Sequence, residues 1–220
     1  MTDDLLTRPF ALIVALAIVS LLPFVFMSVT AFVKISTVLQ IVRSAIGAQS
    51  VPSNTVVLAL AAALTLLAMA PVGARIAARG APLLSGKERD PVVLIRDGID
   101  AVREPMREFL SANASAKERA RFLTIARDAR PAEDRAAVTE RDLPVLVPAF
   151  VVTELGEAFA IGFLLFLPFL VVDLVVSNIL LALGMQTLSP TQVSLPFKLL
   201  LFVGIDGWGL LSQALVAGYR

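Results

Sequence analysis

The sequence predicts an all-α, membrane-associated protein, built as hydrophobic helical hairpins around one small hydrophilic insert. Three observations carry that expectation. Of 220 residues, 57% are apolar, against roughly 45–50% in soluble domains. Charge is segregated: residues 75–142 hold 14 of the 19 Lys and Arg and 12 of the 18 Asp and Glu, and the other 152 residues share 11. A soluble globule spreads charge over its whole surface, so this partition marks segments meant for lipid or for other protein. Finally, residues 9–33 carry no charge over 25 positions, which as helix is about 38 Å, enough to cross the ~30 Å hydrocarbon core.

Composition removes whole classes of chemistry. There is no Cys and no His, hence no disulfide, thiol nucleophile, Cys/His zinc site or imidazole acid–base pair. A net charge of +1 leaves no electrostatic footprint for nucleic acid. No cofactor and no metal are expected.

The elements follow in order. Residues 1–74 read as a first hairpin. Its first arm is 9–33, kinked at Pro23, which lacks an amide donor. A cleaved signal is disfavoured, because Asp3, Asp4 and Arg8 do not make a basic leader and the apolar run is too long. Lys34 and Arg43 follow, with no acid between residues 5 and 87. The positive-inside rule therefore puts 34–55 in the cytoplasm and the N-terminus outside. Pro52, Ser53 and Asn54 make a turn and N-cap before the second arm, Val56–Ala74, which Pro71 and Gly73 are expected to break.

Residues 75–142 read as the insert. Asp90-Pro91 is an N-cap with Pro at the first helical position. Ile95, Ile99, Val102, Met106 and Phe109 then form one apolar stripe, with a bend expected at Pro105. Ser115 and Glu118 have capping-box spacing and open a second helix through Phe122 and Ile125. Two helices packing these stripes together account for the segment without a ligand.

Residues 143–220 read as a second hairpin whose arms meet at the loop 182–190, ALGMQTLSP. Glu154, Glu157 and Asp173 punctuate one arm, Lys198 and Asp206 the other. A charge at mid-bilayer costs roughly 2.5–3.5 kcal/mol on insertion scales, so these five must face protein, water or each other. Glu154 and Glu157 share a helix face. Asp173 and Lys198 stand roughly a dozen residues either side of the loop, at similar depth, where they can neutralise each other. Three readings stay open: structural ion pairs, a proton relay, or snorkelling at helix ends. An intramembrane aspartyl protease does not fit, because GIDG (204–207) has its residues in the wrong order. Gly156, Ala160, Gly162, Gly204 and Gly207 allow close helix approach, within the chain or between copies.

Three strings are more specific than any periodicity: TELGEAFAIGFLLFLPFLVVDLVVSNILLALGM (153–185), SLPFKLLLFVGIDGW (194–208) and RSAIGAQSVPSNTVVLALAAALTLLAMAPV (43–72). They closely resemble the R-type export-gate subunit of type III secretion systems, the injectisome relative of the flagellar FliP proteins. PMREFLSANASAKERARFLTIARDA (105–129) looks like that family's extracytoplasmic insert. The resemblance implies an all-helical subunit of the bacterial inner membrane, with the insert facing the periplasm. Copies, five in the family, would join S-type and T-type partners in a closed pseudo-helical ring, alongside U-type and V-type subunits. Through this gate unfolded secreted proteins leave the cytoplasm. It further implies that the hydrophobic helices largely do not span the bilayer as simple topology predicts. The missing leader suits the injectisome branch. A methionine run after the loop's Gly-Met forms a gasket in many relatives. Here the corresponding residues are Met185, Gln186, Thr187 and Leu188, which would close a wetter seal than a thioether ring. Without a phosphate-binding Gly-rich loop, no catalysis is expected of the chain itself. The competing reading is an ion-coupled transporter using Glu154, Glu157, Asp173 and Lys198 as a relay.

Overall fold

A computed structural model describes residues 4–47, 51–84, 91–185 and 187–219. Eight α-helices and one 3-10 turn are present, with no strand among the described residues: α1 Asp4–Val29, α2 Phe32–Ile46, α3 Asn54–Leu84, α4 Pro91–Asn113, α5 Ala116–Asp128, α6 Leu143–Ala182, α7 Pro190–Gly204 and α8 Gly207–Ala217. Two of them, at Asn54–Leu83 and Leu143–Ala182, are long and apolar enough to cross a membrane, with mean hydropathies of 2.3 and 2.7. The other two hydrophobic segments are bent, by 74° between α1 and α2 and by 57° between α7 and α8.

The first bend corrects the expectation of a kink at Pro23. Pro23 does not interrupt α1. The break falls at Thr30–Ala31, where the Thr30 hydroxyl donates to the Phe26 carbonyl (2.7 Å) and accepts from the Phe32 amide (3.3 Å). A threonine serving local backbone groups in this way competes with the helical ladder. Beyond the break the basic connector is itself a helix, α2, capped by Gly47 at φ 80°, a conformation that glycine adopts without a Cβ penalty. In the fourth arm Asp206 takes the left-handed conformation at φ 54°, and Gly207 follows because a Cβ there would fall on the Phe202 ring.

Other boundaries differ in detail. Helix α3 continues through Pro71 to Leu84, and α4 through Pro105 to Asn113. Ser53 accepts the Val56 amide at 3.4 Å at the start of α3; Asp90 lies outside the described residues. Ser115 caps α5 by accepting the Glu118 amide at 3.2 Å. The return half of the capping box is absent: the Ser115 amide donates to Thr153 Oγ1 of α6 at 3.0 Å, and Glu118 turns to Arg121, 2.9 Å away. Nor do α4 and α5 lean chiefly on each other. Helix α4 packs on α3 and α6, and α5 on α6.

One core runs along α2, from Ile35 through Val38, Leu39 and Val42, against Val57 and Ala61 of α3, Ala158 and Phe169 of α6, Phe202 of α7 and Leu211 of α8. A second joins the insert to the long helices through Phe109, Leu110, Leu146, Ala149 and Phe150. At 40 residues, α6 is about 60 Å long, twice a hydrocarbon core. Its first third is buried by α2, α4 and α5, whereas from Phe159 onward large apolar side chains such as Phe163, Leu164, Val171 and Leu174 stand exposed.

Where α2 crosses α6, Gly162 is required by space: a Cβ there would sit 2.5 Å from Ile41 Cδ1 and 3.2 Å from its Cβ. Gly156, on the same helix, has nothing within 4 Å of that position. Gly162→Val is expected to lower stability by about 1–3 kcal/mol through overpacking, while Gly156→Ala leaves it unchanged or slightly raised. Thermal unfolding of the two variants in detergent checks this; equal melting temperatures contradict it.

Candidate functional site

Apart from Glu118 of α5, which pairs with Arg121, the buried charges among the described residues gather at two places, both on the α2–α6 contact. At the first, Lys34 enters in the first turn of α2, next to the Thr30–Ala31 break, and is 5% exposed. Its Nζ lies 3.0 Å from Glu154 Oε1 and 2.7 Å from Glu157 Oε2 of α6. Glu154 is fully buried, whereas the Glu157 side chain is 54% exposed. Tyr219, just past α8, completes the cluster. Its hydroxyl contacts Glu154 Oε2 and lies 3.2 Å from the Ala31 carbonyl. The same ring carries Lys34 Nζ 4.5 Å from its centroid and stacks on Phe109 of α4 at 6.0 Å. Three helices and the segment after α8 therefore converge on one lysine and the carboxylates of Glu154 and Glu157.

At the second place, Lys198 of α7 reaches Asp173 Oδ2 of α6 at 2.6 Å and donates to the Ala45 carbonyl of α2 at 3.2 Å. Ser194 donates to the other Asp173 oxygen at 2.5 Å. Lys198 is 2% exposed and sits at the C-terminal end of α2, where the helix dipole favours a cation. Gly47 lies against it, with Thr191 and Lys198 the nearest neighbours of a would-be Cβ.

The hairpin loop is built differently. Gly184 at φ 71° donates to the Leu181 carbonyl (3.0 Å) and Met185 to Leu180 (2.9 Å), the pair of bonds that ends a helix in a Schellman motif. Met185, Thr187 and Leu188 are all exposed, and Gln186 lies outside the described residues. Among the described residues of the loop, none is hydrogen-bonded to either charge cluster. Asp206 is also apart: it occupies the α7–α8 break with its side chain exposed. Among the described residues, no group of three or more carboxylates could hold a metal ion.

Sequence reasoning missed Lys34, Tyr219 and Ser194 as site residues. Lys34 had a signal, being the first charge after 25 uncharged residues, but the same signal is what positive-inside counting uses. Tyr219 had none.

Two ion clusters bind the helices together, while α6 and α7 leave large apolar side chains exposed, and that combination defines a helical, membrane-associated protein. The profile of the FliP family matches residues 15–215, and the chain belongs to that family. It is 43% identical over 210 residues to the Hypersensitivity response secretion protein HrcR of Ralstonia nicotianae, covering 96% of this chain and 97% of that protein. It is 40% identical over 208 residues to the Yop proteins translocation protein R of Yersinia pestis, at 94% and 95% coverage. With the Flagellar biosynthetic protein FliP of Caulobacter vibrioides it shares 38% over 214 residues, 97% of this chain and 77% of that one.

Lys198 is buried and the Asp173 side chain 29% exposed, so removing Asp173 strands a buried charge, at a cost of up to about 3–5 kcal/mol, and removing Lys198 costs less. Asp173→Ala and Lys198→Ala are each expected to reduce the yield of folded protein in detergent. The exchange Asp173→Lys with Lys198→Asp recovers only part of it, because a carboxylate at position 198 faces the Ala45 carbonyl. Size-exclusion profiles of the four proteins check the order; single variants that behave as wild type contradict it.

Proposed function

We propose that the chain is a core subunit of the type III secretion export apparatus, forming with further copies of itself the gated inner-membrane channel for unfolded proteins. Membership of the FliP family and relatives named for secretion and translocation support this reading. The observation that carries it in the structure is surface left uncovered. Phe159, Phe163 and Leu164 of α6 and Leu200 and Val203 of α7 are each more than half exposed. The stripe Ile95, Ile99 and Val102 of α4 faces an apolar groove of about 910 Å³ with Val25 and Val29 of α1. A stripe edged by Arg96, Asp97, Asp100 and Arg103 suits a protein neighbour better than lipid.

In this proposal five copies close a ring with the S-type and T-type subunits, next to the U-type and V-type subunits. The division of the chain stays as the sequence has it: residues 1–74 and 143–220 form the hydrophobic hairpins, and 75–142 forms the insert on the periplasmic side. Each copy contributes the loop 182–190, so Met185, Gln186, Thr187 and Leu188 form the constriction. The exposure of Met185 at the end of a Schellman turn, and of Leu188 after it, supports that role, since a gasket residue must be free to meet its copies. Hydrophobic constrictions gate by dewetting. The relay of the transporter reading has less support, because Asp173 is already held by Lys198, and Glu154 and Glu157 by Lys34.

Native mass spectrometry of the chain co-expressed with its S- and T-type partners is expected to give a multi-copy complex; a dispersed monomer under those conditions overturns the proposal. Met185→Gly with Leu188→Gly is expected to preserve that complex while raising small-solute permeability of the cells that carry it. Unchanged permeability with the complex intact removes the loop from the constriction.

A further inference from the structure

We propose that a crevice between α6 and α8 holds one acyl chain of a membrane phospholipid, and that Asp206 at its mouth selects lipids with a primary ammonium headgroup. Two separate observations meet there. The first is the crevice itself. It encloses about 360 Å³, and every residue lining it is apolar. Val42 of α2, Phe169 of α6, Phe202 of α7 and Leu211 of α8 give it a buried floor, while Ile205 stands exposed at the edge. Its volume decides between occupants. One turn of helix about 10 Å across and 5.4 Å tall takes up about 420 Å³, so a partner helix does not fit. The space is more than twice the ~150 Å³ apolar cavity that stays dry and accepts benzene. A chain of methylene groups suits both its size and its walls.

The second observation is Asp206. Of the five charges embedded in the last hydrophobic stretch, four are paired within the chain: Glu154 and Glu157 with Lys34, and Asp173 with Lys198. Among the described residues Asp206 has no such partner, and its side chain makes no capping bond to α8. Its backbone is left-handed, at φ 54°, which costs a residue with a Cβ. The side chain lies over Gly209, where a Cβ would fall on Asp206 Oδ2. The exposed carboxylate thus stands between two residues of the crevice wall, Ile205 and Gly207.

An apolar slot with one polar group at its lip binds the tail of an amphiphile and orients its head. A primary ammonium brings N–H donors as well as charge, so it forms a charge-assisted hydrogen bond with a carboxylate. A trimethylammonium group brings charge without a donor, and an anionic headgroup is repelled. Lipid is also the neighbour that the setting favours. The elements framing the crevice are α6 and the bent pair α7–α8, both apolar enough to cross a membrane. The groove on α4 is different, because Arg103 lines it and further charges border it. The crevice has no charge on its walls, and its one carboxylate lies outside them.

Trp208, the one tryptophan of the chain, reports on the site, because it packs edge-on against Phe202 at 5.1 Å. The test is quenching of its fluorescence in the purified full chain, in uncharged detergent micelles, by phospholipids with brominated acyl chains. Phosphatidylethanolamine is expected to quench along a saturable curve, and its unbrominated form to reverse the quenching. Phosphatidylglycerol and phosphatidylcholine with the same chains reach half-saturation at about two- to fivefold more lipid, the preference that an exposed ion pair supports. Asp206→Asn, which tolerates the left-handed backbone as aspartate does, brings the three lipids to a common midpoint. Ala214→Phe, at an exposed position lining the crevice, fills the slot and abolishes the saturable quenching. Quenching that rises without saturation in wild type, that unbrominated lipid does not reverse, or that stays saturable in Ala214→Phe overturns the inference. So does a headgroup order that Asp206→Asn leaves unchanged, or a wild type that none of the three lipids quenches. The competition with unbrominated lipid decides the point without any substitution. Lipid binding to the purified chain is read directly, so the result is independent of whether the chain forms an export channel.

Discussion

The contact of Lys34 with Glu154 is the constraint on which the rest of the architecture depends. It lies where α1 ends, where α2 first touches α6, and where the C-terminal Tyr219 folds back across the chain. Replacing a buried ion pair by apolar side chains is often neutral or favourable for stability, so such a pair is better understood as fixing geometry than as supplying energy. Its geometric content here is large. A lysine that must meet a carboxylate at one height on α6 sets the register of α2 against α6, the most extensive helix pairing in the molecule. Register matters more than usual for α6, because that helix is apolar nearly all the way round and its hydrophobicity alone prefers no face.

A second ion pair repeats the device at the other end of α2. Lys198 joins α7 to α6 and to the last turn of α2 at once. Between the two clusters, α2 packs on α6 through small-residue contact, with Gly162 admitting Ile41. The helix is thus pinned at its first turn, its middle and its last turn. That leaves α1, whose described residues up to Met27 are exposed, joined to the body through the Thr30–Ala31 bend.

The hydrophilic insert does not form a core of its own. Its helices close over the first third of α6 and the far end of α3, with Phe109, Leu110 and Phe150 as the shared interior. Thr153 receives the Ser115 amide one residue from Glu154, so the turn between the insert helices is docked beside the charge cluster. A 40-residue helix that is twice the thickness of a hydrocarbon core becomes intelligible this way. One part belongs with the insert, and the part from Phe159 onward presents the exposed apolar surface.

How much of this was legible in the sequence depended on how local the cause was. Segregated charge and long apolar runs determined an all-helical, membrane-associated chain with one hydrophilic insert. Ser53, Ser115 and Gly184 marked helix ends, because caps are decided by neighbouring backbone groups. Asp173 and Lys198 stood equidistant from the loop, so their 2.6 Å contact follows from a hairpin's own geometry. The bend at Thr30–Ala31 carried no Gly or Pro signal, while Pro23, Pro71 and Pro105, which did, lie inside continuous helices. Propensity is a weak prior that packing overrides. Lys34, Glu154 and Tyr219 come from the beginning, the middle and the end of the chain, and no spacing rule relates them. Only the tertiary structure decided that pairing, because a buried charge chooses its partner in space, after the helices that carry both have found their register.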